Sequence, residues 1–199
     1  AYLRAETCQP IFVDFEQVRI ASRQKLPFGI AQTGKAFRNE VTPRFFTFRS
    51  REFVQMEMEY FCREEEAMDW FDHWRDYRLR FWTDILRIPE ASLRVHEHDT
   101  LAHYAKAAVD IEFEFPFGWG ELEGIHHRGT WDMGRHAEFS GEDLRYFDQD
   151  SGERFLPTVV ETSCGLDRMM LAGLCHAYDE DYADSKKAGR DEDVRVALR

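Results

Sequence analysis

Residues Phe53 to Tyr60 alternate with period two, and the two faces this creates are chemically opposite. In an extended chain Val54, Met56, Met58 and Tyr60 fall on one side, while Phe53, Gln55, Glu57 and Glu59 fall on the other. A purely structural strand seldom lines one face with an aromatic ring, an amide and two carboxylates. The preceding run from Phe28, FGIAQTGKAFRNEV, reads as its antiparallel partner across a polar loop. If Ala36 to Val41 is extended, Arg38 and Glu40 share one face, and the hairpin becomes a polar sheet floor suited to a small charged ligand.

Downstream the period changes. Ala67, Trp70, Phe71, Trp74, Tyr77, Phe81 and Ile85 recur at helical spacing, with Glu64 to Glu66 at the start, where the helix dipole favours them, and Pro89 at the close. This aromatic stripe is expected to be buried against a sheet. A second short helix is expected from Asp99, a plausible N-cap, through LAHYAKAA. Period two then returns, with Val109, Ile111, Phe113 and Phe115 alternating against Asp110, Glu112 and Glu114. In the glycine- and aromatic-rich run that follows, alternation places Glu121 and Glu123 on one side. Clustered carboxylates at a sheet centre need a cation, either a metal or an ammonium group.

His126, His127 and His136 lack zinc-site spacing and are read as loop or supporting residues. A turn at Asp150 to Gly152 precedes a strand from Phe155 to Glu161. Ser163 is then placed to cap a helix starting near Gly165, with Leu166, Met169, Met170, Leu174 and Ala177 facing inward. Arg168 falls in the first turn, where a cation runs against the dipole, so it aims at something negative. The plain alternative is a surface pair with Asp167.

Lys and Arg number 26 against 38 Asp and Glu, giving a net charge of -12 over 199 residues. That balance disfavours broad capture of a nucleic-acid backbone, though not a local contact with an RNA end. The four cysteines, Cys8, Cys62, Cys164 and Cys175, form no CxxC pair, which fits a reducing, cytoplasmic compartment. No apolar run approaches the ~18 residues of a membrane span, and no signal peptide opens the chain. Beyond Asp179 a charged stretch leads to VRVAL, and the whole reads as the core of something longer.

FRNE at Phe37 to Glu40, followed by REF at Arg51 to Phe53, resembles motif 2 of the class II aminoacyl-tRNA synthetases; GLDR at Gly165 to Arg168 resembles their motif 3. RAETCQ, RQKLPFGIAQTGKAFRNE, QMEMEYF, LAHYAKAAVDIEFEFPFGWGELEGI and SGEDL are similar, in order and spacing, to the dimeric glycyl-tRNA synthetases shared by archaea, eukaryotes and many bacteria. The likeness runs from about Leu3 to Tyr182. It implies an α+β fold, an antiparallel sheet flanked by helices, with a catalytic core over residues 1–183. Residues 184–199 would be a charged linker leading to an anticodon-binding domain, and motif 1 would lie before Ala1.

The resemblance also implies roles. Arg38 would hold the ATP α-phosphate and the amino-acid carboxylate, Asn39 would join the ATP contacts, and Glu40 would bond the adenine amino group. Phe53 and Arg168 would sandwich the adenine, with Arg168 also neutralising the γ-phosphate and Arg49 or Arg51 adding charge. Glu6, Glu57 and Glu161 would surround the glycine ammonium, with Ser163 closing the pocket. Glu112 and Glu121 would hold Mg²⁺. The implied partners are glycine and the acceptor end of tRNA(Gly), in a homodimer with no membrane association. Ala5, Cys8, Pro10 and Cys164 depart from the family pattern beside the charged positions. Two alternatives stand: a non-catalytic relative, such as the DNA polymerase accessory subunits of this fold, and a metal-dependent hydrolase using Glu112, Glu121 and Glu123.

Overall fold

The computed structural model describes residues 2–98, 100–101, 105–182, 186, 189 and 195–199. Helix α1 (Cys8–Ser22) leads into β1 (Phe28–Phe37) and β2 (Glu52–Cys62), and α2 (Ala67–Arg80) follows. Then come β3 (Leu93–Glu97), β4 (Ala107–Phe115), β5 (Gly118–Gly129), α3 (Trp131–Ser140), a short hairpin of β6 (Tyr146–Phe147) and β7 (Arg154–Phe155), β8 (Thr158–Gly165) and α4 (Leu166–Ala177). Six strands form one antiparallel sheet in the order β1-β2-β8-β5-β4-β3, so the fold is α+β as expected. Near the end of the chain β9 (Tyr178–Asp181) pairs with β10 (Arg195–Leu198).

Each sheet face has its own core. On one face Trp82, Ile111, Ile125 and Val160 are fully buried with α2 and α4 over them. On the other, Phe12, Phe15, Phe61, Met133 and Val159 pack under α1 and α3. These two helices cover only one end of that second face, the end carrying Phe61 and Val159. The rest of the same face is the polar row Gln55, Glu57 and Glu59, and it is more buried than the apolar row Met56, Met58 and Tyr60 behind it.

Four local expectations change. β1 stops at Phe37; Arg38 N–H still bonds the Arg51 carbonyl at 2.9 Å, but Glu40 leaves the ladder, its N–H turning back to the Arg38 carbonyl at 2.8 Å. α2 widens into a π turn at Phe81–Ile85, where Leu86 N–H bonds the Phe81 carbonyl at 3.1 Å. The extra residue rotates the stripe: Trp82 is fully buried, whereas Ile85 is 68% exposed. β8 continues past Glu161 to Gly165, which puts Ser163 within the strand, on the same face as Glu161, and leaves Gly165 at the cap of α4. Inward packing from α4 comes from Met169, Leu171, Ala172 and Cys175, while Leu166, Met170 and Leu174 are exposed.

Of the short helix expected from Asp99, residues 99 and 102–104 lie outside the described residues, and Ala107 and Ala108 are already strand. The most consequential change is a β-bulge. Ile111 pairs with Glu123 but Glu112 pairs with Glu121, so Leu122 is an extra residue and the alternation resets. Glu121 and Glu123 therefore point to opposite faces, not to one.

Candidate functional site

The uncovered part of the polar face opens into a cavity of about 250 Å³. One end is walled by carboxylates. Glu57 is 4% exposed, yet its charge is met on both oxygens. Thr7 donates its backbone N–H (2.7 Å) and its hydroxyl to Oε2, while Gln55 Nε2 (2.7 Å) and Ser163 Oγ (3.0 Å) donate to Oε1. Burial and the Glu161 charge push the Glu57 carboxyl up, against these hydrogen bonds. Glu6, at the entry to α1, accepts from Cys8 Sγ and Gln9 Nε2, both at 3.0 Å.

Glu161 sits behind them at 3% exposure, with His126 Nδ1 at 2.7 Å from Oε1 and Arg128 Nη1 at 2.5 Å from Oε2. Burial works against its charge, but the His126 hydrogen bond and the Arg128 charge prevail and hold it down at about 2. The same contact lifts His126: burial lowers an imidazole, and the Glu161 hydrogen bond and charge, with Asp110 behind, outweigh it. Gly124 makes room for that ring, since a Cβ there would lie 2.6 Å from His126 Cε1. Arg128 is fixed in turn by Asp132, through Nε at 2.8 Å and Nη2 at 3.0 Å.

The other end is cationic and aromatic. Arg38 lies with its guanidinium carbon 5.2 Å from the Phe53 ring centre, and its Nε donates to the Ala5 carbonyl at 3.1 Å. Arg168 rests 4.3 Å over Phe48, donating Nε to the Phe48 carbonyl at 3.1 Å and Nη1 to the Glu121 carbonyl at 3.0 Å. Glu40 and Arg49 line the same cavity. Asp167 does not take Arg168 as a surface partner; its carboxylate accepts the Val54 N–H at 2.9 Å, tying α4 to β2.

Among the residues expected from the sequence, the cavity thus gathers Glu6, Arg38, Glu40, Arg49, Phe53, Glu57, Glu121, Glu161, Ser163 and Arg168. It does not gather three others. Asn39 is exposed outside it, and Arg51 turns its Nε to the Glu40 carbonyl at 2.9 Å. Glu112 is drawn aside by Arg94 Nε at 2.5 Å and His96 at 3.3 Å. Of the two carboxylates expected to hold Mg²⁺, Glu121 is the one in the cavity: it is half exposed there and its Oε1 lies 3.2 Å from Arg168 Nη1. Glu112, the other carboxylate expected to hold Mg²⁺, is paired with Arg94 on β3 in this structure. Glu123, the third carboxylate of the hydrolase alternative, is on the far face with Arg78 and Trp82.

Sequence reasoning missed Phe48, Arg128 and Asp132, and it undervalued His126. The pattern held a signal for two of them, because His126 and Arg128 are two apart on a strand and so share a face. Nothing periodic marks Phe48, which lies in the loop between β1 and β2. Cys164 needs no allowance at the site, since it faces the opposite core. Cys8 is buried beneath Glu6, and Pro10 occupies the first turn of α1, where its missing N–H costs nothing.

Residues 1–176 match the tRNA synthetase class II core domain (G, H, P, S and T). The chain is 55% identical over 182 residues to the glycine–tRNA ligase of Agathobacter rectalis, covering 90% of the chain and 39% of that relative. It is 52% identical to the ligase of Geobacillus kaustophilus over the same shares, and 48% identical to that of Alkaliphilus oremlandii over 100% of the chain and 42% of the relative. The chain therefore spans about two fifths of the length of these curated relatives.

Proposed function

Since this chain belongs to the tRNA synthetase class II core family, we propose that it activates glycine with ATP to glycyl-adenylate and serves the transfer of glycine to tRNA(Gly). The observation that carries this reading is the division of one cavity into a carboxylate-walled end, with Glu6 and Glu57 in front of Glu161, and an end holding Arg38, Arg168 and Phe53. An amino acid fits across that division, ammonium to the glutamates and carboxylate to the arginine.

In the proposed reaction a glycine carboxylate oxygen attacks the α-phosphorus in line. The new P–O bond forms as the bond to the bridging oxygen breaks, and pyrophosphate leaves with the electron pair. Arg38 binds the glycine carboxylate and the α-phosphate together, which removes their repulsion and fixes the approach. Arg168 takes charge on the departing phosphates, and Phe53 gives the adenine a face, with Glu40 accepting from its amino group. Mg²⁺, when bound, would supply charge neutralisation on the phosphates, and Glu121 would be the carboxylate that holds it. Glycine has no side chain to grip. Its selection rests on the ammonium contacts and on the tight wall of Glu57, Gln55 and Ser163, because binding alone rejects one methyl by only roughly 10- to 200-fold.

The terminal ribose of the tRNA then displaces AMP from the adenylate. A homodimer acting in the cytoplasm belongs to the same proposal. The test is glycine-dependent exchange of pyrophosphate into ATP. Exchange is expected with glycine, at least a hundred-fold less with alanine or serine, which corresponds to about 2.7 kcal/mol, and none in Arg38→Ala. Equal exchange with alanine, or exchange that survives the loss of Arg38, refutes the reading.

A further inference from the structure

We propose that Glu59 is a neutral carboxylic acid whose proton bridges to Glu161, making it the positioning residue that fixes the rear of the ammonium pocket. The role in the pocket rests on the glycine reading above; the protonation does not. Glu59 occupies the third place in the polar row of β2, directly opposite Glu161 on β8. It is 0% exposed, and neither of its carboxyl oxygens meets a donor. Cys8 and Glu161 lie beside it, with one ligating atom from each of the three within 4.8 Å of the others.

The donors nearby are committed elsewhere. The Cys8 thiol turns to Glu6 Oε1 at 3.0 Å. Arg128 gives Nη1 to Glu161 and Nε and Nη2 to Asp132. His126 gives its Nδ1 to Glu161. Two carboxyl groups thus face one another out of contact with bulk solvent, with no protein donor between them. Burying an unpaired charge costs more than taking up a proton, and paired carboxyls in such a place share one.

Which group keeps the proton follows from the neighbours. Glu161 has Arg128 and His126 on its two oxygens; Glu59 has neither. Most of the charge around Glu59 is negative. Glu57 lies two residues along β2, Glu161 faces it from β8, and the Cys8 thiol approaches from the start of α1 with Glu6 beyond it. Arg128 on β5 is the cation acting on it, and Asp132 on α3 shares that charge. Burial first, then the Glu161 charge, hold Glu59 well above the ordinary carboxylate range. Glu161 then carries three hydrogen bonds and cannot swing. It becomes a fixed negative charge behind the pocket, and Glu57 and Glu6 are left to meet the ammonium directly.

The experiment is denaturant unfolding of the full protein and of Glu59→Gln, which keeps a donor without a charge, from pH 5 to 8. A group held protonated only in the folded state makes stability fall as pH rises above its unfolded value of 4.5. The unfolding constant of the native protein relative to Glu59→Gln is expected to rise about tenfold per pH unit until Glu59 titrates. A ratio that stays flat overturns the proposal.

If the variant does not fold, the infrared spectrum of the native protein labelled with ¹³C-glutamate decides. A protonated-acid carbonyl band at neutral pH supports it, and absence of the band overturns it. Stability lost on chelation in the native protein but not in Glu59→Gln puts a metal ion there instead. For positioning, Glu59→Ala is expected to raise the glycine KM more than it lowers kcat, with Glu59→Gln restoring it; an unchanged KM overturns that role. Absence of any glycine exchange, with the stability profile as expected, refutes the functional reading alone.

Discussion

Replacing Arg78 with methionine tests the anchor beneath the bulge that sends Glu121 to the cavity. Arg78, on α2, holds Glu123 at 2.5 Å, and the two side chains are 19% and 1% exposed. Trp82 Nε1 donates to the other Glu123 oxygen at 2.8 Å. Methionine keeps the packing of the stem but removes the charge and the contact with the Phe81 ring at 4.2 Å. Breaking a buried pair from one side costs about 3–5 kcal/mol, and the partial exposure of Arg78 places the loss near the lower end, about 3 kcal/mol at pH 7.

The loss has a ceiling, because Glu123 can take up a proton. Burial already holds its carboxyl above the ordinary range, with Arg78 and Trp82 opposing. Without Arg78 the folded-state value rises further above the unfolded one. A group raised in this way contributes stability that is complete below its unfolded value and lost as pH climbs through the folded value. The deficit of the variant therefore shrinks as pH falls from 7 toward 5, by about 1.4 kcal/mol per unit between the two folded-state values. Equilibrium urea unfolding at three pH values measures it. The double change Arg78→Met with Glu123→Gln, which keeps an acceptor for Trp82, is expected to return to within about 1 kcal/mol of the native protein, the residue being the lost cation-π contact. A deficit independent of pH, or a double variant no better than the single one, refutes the reasoning.

Gly124→Ala drives a Cβ to within 2.6 Å of His126 Cε1 and 3.5 Å of Asp110 Oδ1, so the imidazole must leave Glu161. Overpacking of this kind costs about 1–3 kcal/mol, and glycine-dependent exchange is expected to fall with it; unchanged stability and exchange would contradict the crowding. Asp167→Ala leaves the Val54 N–H without its 2.9 Å acceptor, for a loss of about 1–2 kcal/mol by thermal unfolding, whereas Asp167→Asn keeps an acceptor oxygen and most of the stability. His126 is expected to titrate above its ordinary 6.5 when followed by NMR. Because its folded-state value is raised, its contribution to stability is complete below pH 6.5 and disappears as pH rises through the folded value, a slope that His126→Gln abolishes.

How much of this was legible in the sequence depends on what each feature needs. The split of β2 into polar and apolar rows needs only the two-residue repeat of a strand, so Gln55, Glu57 and Glu59 were placed on one face correctly from the letters alone. That the polar row is the buried one depends on groups from far along the chain on either side of it, since Thr7 closes on Glu57 and Glu161 on β8 faces Glu59. Where the chain breaks period by a single residue, alternation fails silently. Leu122 in the bulge separates Glu121 from Glu123, and the π turn exchanges Ile85 for Trp82.

The two breaks meet in one bond: Trp82, in the π turn, donates to Glu123, the residue after Leu122 in the bulge. A lone carboxylate on that face would be costly to bury, and a lone indole N–H would want an acceptor. At the cavity the bulge frees Glu121 from the core and turns it toward Arg168, a placement that plain alternation along this strand does not give.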